Sequence, residues 1–80
     1  MDIYEAQRKT MRYFREQNGL SQCEVSRRTM ICLQSIWGYE HKYSIPLDRV
    51  KTLCDCFGIT LAEWFVMVDF YMRWQDEKTS

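Results

Sequence analysis

The sequence has little proline and glycine, and it has no long apolar run. One proline and three glycines occur among the 80 residues, so few positions oppose a long helix. No stretch reaches the roughly 18 apolar residues that a membrane-spanning helix needs. The first ten residues also lack the apolar centre of a secretory signal peptide. We therefore expect a helical protein of the cytoplasm that does not enter a membrane.

Metal-binding and catalytic patterns are equally scarce. His41 is the only histidine, and the four cysteines do not have the spacing of a zinc site: Cys23, Cys32, Cys54 and Cys56. The sequence contains neither a nucleophile with a matching base nor a glycine-rich phosphate loop. We expect no metal, no cofactor, no small-molecule ligand and no enzymatic activity, and we expect the thiols to be reduced, as is usual in the cytoplasm.

What is present is an apolar fraction of 46% and an aromatic fraction of 15%, enough to build a hydrophobic core. A chain of 80 residues suffices for one domain, which we place over residues 1–75, with a flexible tail over residues 76–80. The net charge is zero, but residues 1–52 carry nine basic and six acidic residues, whereas residues 53–80 carry two and five. A nucleic acid would therefore bind to the first part of the chain.

Capping residues and helical spacing divide the chain into five predicted helices. They run from about Ile3 to Gln17, from Ser21 to Thr29, from Leu33 to His41, from Pro46 to Phe57, and from Thr60 onward. Three of them begin with the spacing of a capping box: Asp2 with Glu5, Ser21 with Glu24, and Thr60 with Glu63. No segment alternates with a period of two, so we expect an all-α fold without a sheet.

The last predicted helix is apolar on nearly all sides, which one small domain cannot bury. We expect four of its residues to face the core: Leu61, Phe65, Val68 and Met72. Four others have the spacing of a second apolar face: Met67, Phe70, Tyr71 and Trp74. We predict that this second face forms a homodimer through the C-terminal helix, because small soluble domains rarely leave several aromatic residues in water.

Several short motifs occur in a characteristic order over about residues 10–66. They are Gly19-Leu20-Ser21-Gln22, Val25-Ser26, Ile31, Ile36, Tyr39-Glu40, Ile45-Pro46-Leu47-Asp48, Phe57-Gly58-Ile59-Thr60-Leu61 and Glu63-Trp64-Phe65. In these motifs the chain resembles the Xre/Cro, or lambda-repressor-like, helix-turn-helix domains. The resemblance implies a five-helix bundle in which helices 2 and 3 form the motif and helix 3 enters the major groove of DNA. It implies a sequence-specific transcription regulator, a repressor of bacterial or phage origin, whose partner is double-stranded DNA.

The same resemblance assigns roles to individual positions. Gln22 would contact a phosphate or position the reading helix, and Arg27, at the end of helix 2, is a candidate phosphate contact. Five residues would face the base edges: Cys32, Leu33, Gln34, Trp37 and Gly38. Three would lie beside the DNA backbone: His41, Lys42 and Tyr43. Arg15 and Glu40 occupy positions where the family often has a buried ion pair.

The sequence departs from the family pattern at the motif itself. Met30 stands where the turn usually has glycine, so we expect a strained or reshaped turn. Cys32 replaces the usual Ser or Thr cap of the reading helix. Leu33 and Trp37 are apolar where polar readers are usual, and three interpretations stay open: contacts to thymine methyl groups, a protein-binding patch, or a tryptophan folded onto the core. The alternative function is a helix-turn-helix fold used for protein binding or as an antitoxin-like module.

Overall fold

A computed structural model gives the protein an all-α fold of five helices. It describes the backbone of residues 1–79 and the side chains of residues 1–73. The helices are α1 Ile3–Gln17, α2 Gln22–Thr29, α3 Leu33–His41, α4 Leu47–Phe57 and α5 Leu61–Thr79. Within the described backbone there is no strand. The predicted fold class and order of elements are therefore confirmed, including the helix-turn-helix formed by α2 and α3 and the long C-terminal helix.

Three helices begin at the caps predicted from the sequence. The backbone amides of Glu5, Glu24 and Glu63 donate to the side chains of Asp2, Ser21 and Thr60 over 2.8, 3.0 and 3.1 Å, respectively. Only in α5 does a second hydrogen bond close the box, from the amide of Thr60 to the carboxylate of Glu63 at 3.0 Å. These bonds satisfy amides that a helix start otherwise leaves without a partner.

The core lies where all five helices meet. Its buried apolar residues come from every helix and from two loops: Ala6, Met11, Val25, Ile31, Ile36, Tyr39, Ile45, Val50, Leu53, Cys54, Phe57, Trp64 and Val68. Helix α5 packs on α1 and α4, while α3 packs on α1 and α2. Helix α3, the second helix of the motif, is thus held from behind by α1 and α2, and its opposite side is exposed.

Helix α5 is rotated relative to the prediction. Of the four residues expected to face the core, Val68 is buried and Met72 packs against the core, but Leu61 and Phe65 are 37% and 39% exposed. Trp64, which was not among the four, is completely buried. The Trp64 ring stacks on Phe14 of α1, with 6.2 Å between the ring centroids. A buried tryptophan removes more apolar surface from water than any other side chain, so it determines which side of α5 turns inward. The same rotation brings Tyr71 against the core.

The C-terminal boundary was not tested. The predicted end of the domain at residue 75 and the tail over residues 76–80 fall where no side chain is described. Both stay predictions. The side chain of Trp74, part of the predicted dimer face, also lies outside the described residues.

Candidate nucleic-acid interface

The turn between α2 and α3 is held by side chains of α2. Ser26 Oγ donates to the carbonyl oxygen of Ile31 at 2.5 Å, and Thr29 Oγ1 accepts from the amide of Ile31 at 3.3 Å. Ile31 itself is anchored in the core with only 3% of its surface exposed. These contacts fix the angle between the two helices, which decides how α3 is presented.

Met30 adopts the left-handed conformation that the turn requires. Its φ is 61° and its side chain is 89% exposed, so no packing compensates for the unfavourable backbone. The turn is therefore not reshaped around Met30, and the residue is strained. The left-handed region costs a residue with a side chain about 1–2 kcal/mol.

We expect Met30→Gly to raise the free energy of unfolding by about 1 kcal/mol, because glycine takes this conformation without strain. Urea unfolding followed by circular dichroism measures the change. Gly58→Ala is the matched control in the opposite direction, since Gly58 ends α4 with φ 71°. If the urea concentration at the midpoint of unfolding is unchanged in Met30→Gly but lower in Gly58→Ala, Met30 is not strained.

The exposed side of α3 carries a shallow open depression of about 630 Å³. Leu33 and Trp37 provide its apolar floor together with Tyr43, and each of the first two is more than two fifths exposed. The polar residues around it are Gln22, Cys32, Gln34 and Ser35. Of the predicted DNA-contacting residues, six thus line one surface.

Trp37 is held on the surface by its own helix. Its ring stacks on His41, with 4.3 Å between the centroids, and His41 Nδ1 donates to the carbonyl oxygen of Trp37 at 2.8 Å. The ammonium group of Lys42 lies 6.0 Å from the centre of the Trp37 ring. Trp37 is 44% exposed, which rules out the interpretation that it folds onto the core.

Gly38 does not face outward, contrary to the expectation that it faces base edges. It is buried, and a Cβ atom at this position would overlap the ring of Tyr43. Tyr43 lies across the helix there, and its amide donates to the carbonyl oxygen of Gly38 at 2.7 Å. Glycine thus lets the aromatic ring close down on α3, and the surface at this point belongs to Tyr43.

Cys32 precedes α3 but does not cap it. Its side chain makes no hydrogen bond to the helix amides, and its Sγ instead lies 3.1 Å from the hydroxyl of Ser35. This hydrogen bond is the main reason that the pKa of the Cys32 thiol is lowered; the backbone amides of Ser35 and Gln34 lower it further, and the positive charge of Arg49 contributes least. Sequence reasoning missed Ser35, although it lies three residues after Cys32, the spacing of a capping box. No local signal pointed to Arg49.

Arg15 and Glu40 join α1 to α3 behind the reading surface. Two hydrogen bonds connect the guanidinium to the carboxylate, Nε to Oε2 at 2.6 Å and Nη2 to Oε1 at 3.0 Å. A third runs from Arg15 Nη1 to the carbonyl oxygen of Leu20 at 2.9 Å. The side chain of Glu40 is 1% exposed, so its negative charge does not reach the surface of α3.

Two predicted contacts come from α2. Gln22 opens α2 and lines the depression. Arg27 lies at the end of α2 and is 74% exposed, but its guanidinium is paired with Glu24 at 2.5 Å. An exposed pair of this kind contributes at most about 1 kcal/mol, so a phosphate can replace Glu24 as the partner.

The predicted dimer residues do not share one exposed face. Phe70 is 51% exposed, Met67 is half-buried, and Tyr71 is half-buried on the core of its own chain, where burial raises the pKa of its hydroxyl. Tyr71 is therefore not available to a partner in the way the sequence predicted. Val66 is 69% exposed on the same helix, although its spacing did not place it in the predicted dimer face.

Neither a metal site nor a membrane span is found in the described residues. No three His, Cys, Asp or Glu side chains there are grouped as metal ligands would be. None of the helices in that part of the chain has the length and apolar character needed to cross a membrane.

No protein-family model matches the chain, and no curated protein sequence does. Among solved structures, the clp gene regulator ClgR from Corynebacterium glutamicum is similar, with a TM-score of 0.92. The match covers 99% of this chain and 85% of that one, at 16% sequence identity. At this identity the likeness concerns the fold: the chain is a five-helix bundle with a helix-turn-helix.

Proposed function

We propose that this chain is a sequence-specific DNA-binding transcription regulator of the Xre/Cro type, and that it acts as a repressor. One observation carries the proposal: the exposed side of α3 carries no carboxylate. The only acidic residue of this helix, Glu40, is buried on the opposite side and paired with Arg15. DNA repels exposed carboxylates and attracts the cations beside this face, of which Lys42 is one. The similarity in fold to a gene regulator supports the same function. Repression would follow from occupying a promoter.

The exposed residues divide into base readers and backbone contacts. Gln34 is the best conventional reader, because its amide can donate to and accept from one adenine. Gln22, at the start of α2, would bind a phosphate, as helix starts commonly do. His41, Lys42 and Tyr43 follow α3 and would contact the backbone beside it, with Arg27 as a further phosphate contact.

We expect Gln34→Ala and Gln22→Ala to weaken DNA binding in different ways. Gln34→Ala should relax the preference at one base pair by about 1–3 kcal/mol, because a bidentate base contact is lost. Gln22→Ala should weaken binding to every sequence similarly, because a phosphate contact carries no sequence information. Duplexes selected from a randomised pool by the full chain, and their single-base variants, provide the measurement by fluorescence anisotropy.

Gln17→Ala is the control, since Gln17 is exposed at the end of α1 and does not line the depression. It should change neither affinity nor preference. A selected duplex that all three variants bind as the wild type does would refute this docking of α3.

We further propose that the regulator is a homodimer joined through α5. Val66 and Phe70 are the two most exposed large apolar residues in the described part of this helix, at 69% and 51% exposure, and they lie one turn apart. A second copy, related to the first by a two-fold axis, would bury both side chains; this is the commonest symmetry of homo-oligomers. It would also hold two reading helices about 34 Å apart, the repeat of the major groove. Met67 and Trp74 stay in the proposed interface, and Tyr71 does not.

Sedimentation equilibrium tests the dimer. We expect the wild type to be dimeric at roughly tens of micromolar, and the Val66→Glu/Phe70→Glu variant to be monomeric because two buried, unpaired carboxylates oppose association. Leu47→Glu is the control, since Leu47 is 67% exposed at the start of α4, where the helix dipole favours an acid. A monomeric wild type, or a variant that stays dimeric, is incompatible with this interface.

A second candidate function is protein binding, either alone or as an antitoxin-like module. The apolar floor formed by Leu33, Trp37 and Tyr43 favours it, because aromatic and apolar groups are typical of the centre of a protein interface. The dependence of DNA binding on salt separates the two functions, since only a DNA-binding protein releases many counterions.

A further inference from the structure

The depression on α3 has an unusual composition for a surface. Leu33 and Trp37 are one turn apart on the same side of the helix, at 43% and 44% exposure. Gln34 lies between them in sequence and shares the depression. Two large apolar side chains exposed to water at the centre of a proposed DNA interface need a partner group that is itself apolar.

The surroundings of this apolar floor match DNA in charge. Its rim consists of polar groups without a carboxylate, those of Gln22, Cys32, Gln34 and Ser35. A cation, that of Lys42, stands beside Trp37. No side chain that lines the depression is acidic. An apolar centre, a neutral polar rim and a flanking cation correspond to the major groove, which has base edges in the middle and phosphates at the sides.

Only one standard base presents an apolar group in the major groove: thymine, through its 5-methyl group. We infer that Leu33 and Trp37 read this methyl group, so that the DNA sites of this protein contain thymine, or another 5-methylpyrimidine, opposite α3. The inference rests on the proposed DNA-binding function and deepens it by naming the base. It also agrees with Gln34, whose preferred partner is adenine, the base paired with thymine.

The apolar surface is held in place before DNA arrives. The Trp37 ring is stacked on His41 at 4.3 Å, and its helix is anchored to α1 through Glu40. A side chain that is already fixed loses little conformational freedom on binding. Burial of one methyl group against such a surface favours binding by about fourfold, so its removal should weaken binding by the same factor.

Replacing thymine by deoxyuridine tests the inference, because uracil differs from thymine only by the missing methyl group. The full chain first selects duplexes from a randomised pool. Each thymine of the selected site is then replaced singly by deoxyuridine, and the dissociation constant is measured at constant salt. We expect replacement at one or two positions to weaken wild-type binding by about fourfold each.

Two variants connect the effect to the residues. Leu33→Ala and Trp37→Ala should bind thymine and uracil duplexes with more similar dissociation constants than the wild type does, because the apolar partner of the methyl group is gone. Gln17→Ala, which changes an exposed polar side chain outside the depression, should keep the preference for thymine over uracil. The comparison of thymine and uracil duplexes with the wild type changes only the DNA, so that result does not depend on the folding of any variant, and circular dichroism of Leu33→Ala and Trp37→Ala must show the wild-type helix content.

Equal binding of wild type to thymine and uracil duplexes at every position overturns the inference and leaves DNA binding standing. A preference for thymine that survives in both Leu33→Ala and Trp37→Ala overturns the assignment to these residues. If no duplex is enriched and DNA binding does not depend on salt, the proposed function fails, and the inference falls with it.

Discussion

Arg15→Met is expected to lower the free energy of unfolding by about 3–5 kcal/mol, because it leaves the Glu40 carboxylate buried without its partner. Glu40 is 1% exposed and receives both of its ion-pair hydrogen bonds from Arg15. Glu40→Gln should cost less, since Arg15 is 14% exposed and keeps its bond to the carbonyl oxygen of Leu20. Thermal and urea unfolding of the two single variants and of the double variant measure the change in the free energy of unfolding for each.

The double variant should lose less stability than the two single losses added together, because it has no unpaired charge. Arg12→Met is the matched control on the same helix. Arg12 forms an ion pair with Glu16, and the two side chains are 63% and 54% exposed. Exposed pairs of this kind contribute at most about 1 kcal/mol to the free energy of unfolding. Small, additive losses at Arg15 and Glu40, no larger than that at Arg12, would mean that the pair does not anchor α3.

The affinity for DNA is expected to fall roughly a thousandfold between 50 and 200 mM salt if a dimer makes about six phosphate contacts. The logarithm of the binding constant should then fall linearly with the logarithm of the salt concentration, with a slope of about −5. Lys42→Gln should make the slope less steep by about one unit for each copy bound, and should weaken binding to all sequences alike. Anisotropy titrations at several salt concentrations measure both quantities.

Arg73→Gln removes the same charge from α5, where Arg73 pairs with Asp69 at 2.9 Å. It is the control for Lys42→Gln, because α5 packs on α1 and α4 and carries the proposed dimer surface. The slope should not change in this variant. A slope near zero for the wild type contradicts DNA binding and favours the protein-binding alternative; equal changes in both variants would show that Lys42 contributes only through net charge.

Much of the local structure could be predicted because its causes lie within a few residues. A cap such as Ser21 binds an amide only three residues away, so its spacing is visible in the sequence. Gly58 ends α4 in the left-handed conformation, as its position after the apolar pattern predicted. The strain at Met30 was foreseen for the same reason, since the turn requires a positive φ whichever residue occupies it.

The composition of the reading surface was predicted only in part. The resemblance assigned Leu33 and Trp37 to the reading helix, but their exposure depends on what else covers them. Gly38 was expected to be exposed, and the ring of Tyr43 covers it instead. That outcome depends on the path of the loop after α3, which no helical spacing describes.

The amino-acid sequence by itself determined where each helix begins and where the first four end, because caps, glycines and the 3.6-residue period act over one or two turns. Only the tertiary structure decided how α5 is turned. Its apolar residues surround the helix, so several rotations would bury a similar area and the spacing favours none of them. The choice of Trp64 over Phe65 depends on Phe14, fifty residues earlier in the chain, which receives the larger ring. The same orientation of α5 leaves Tyr71 half-buried against the core and leaves Val66 and Phe70 exposed.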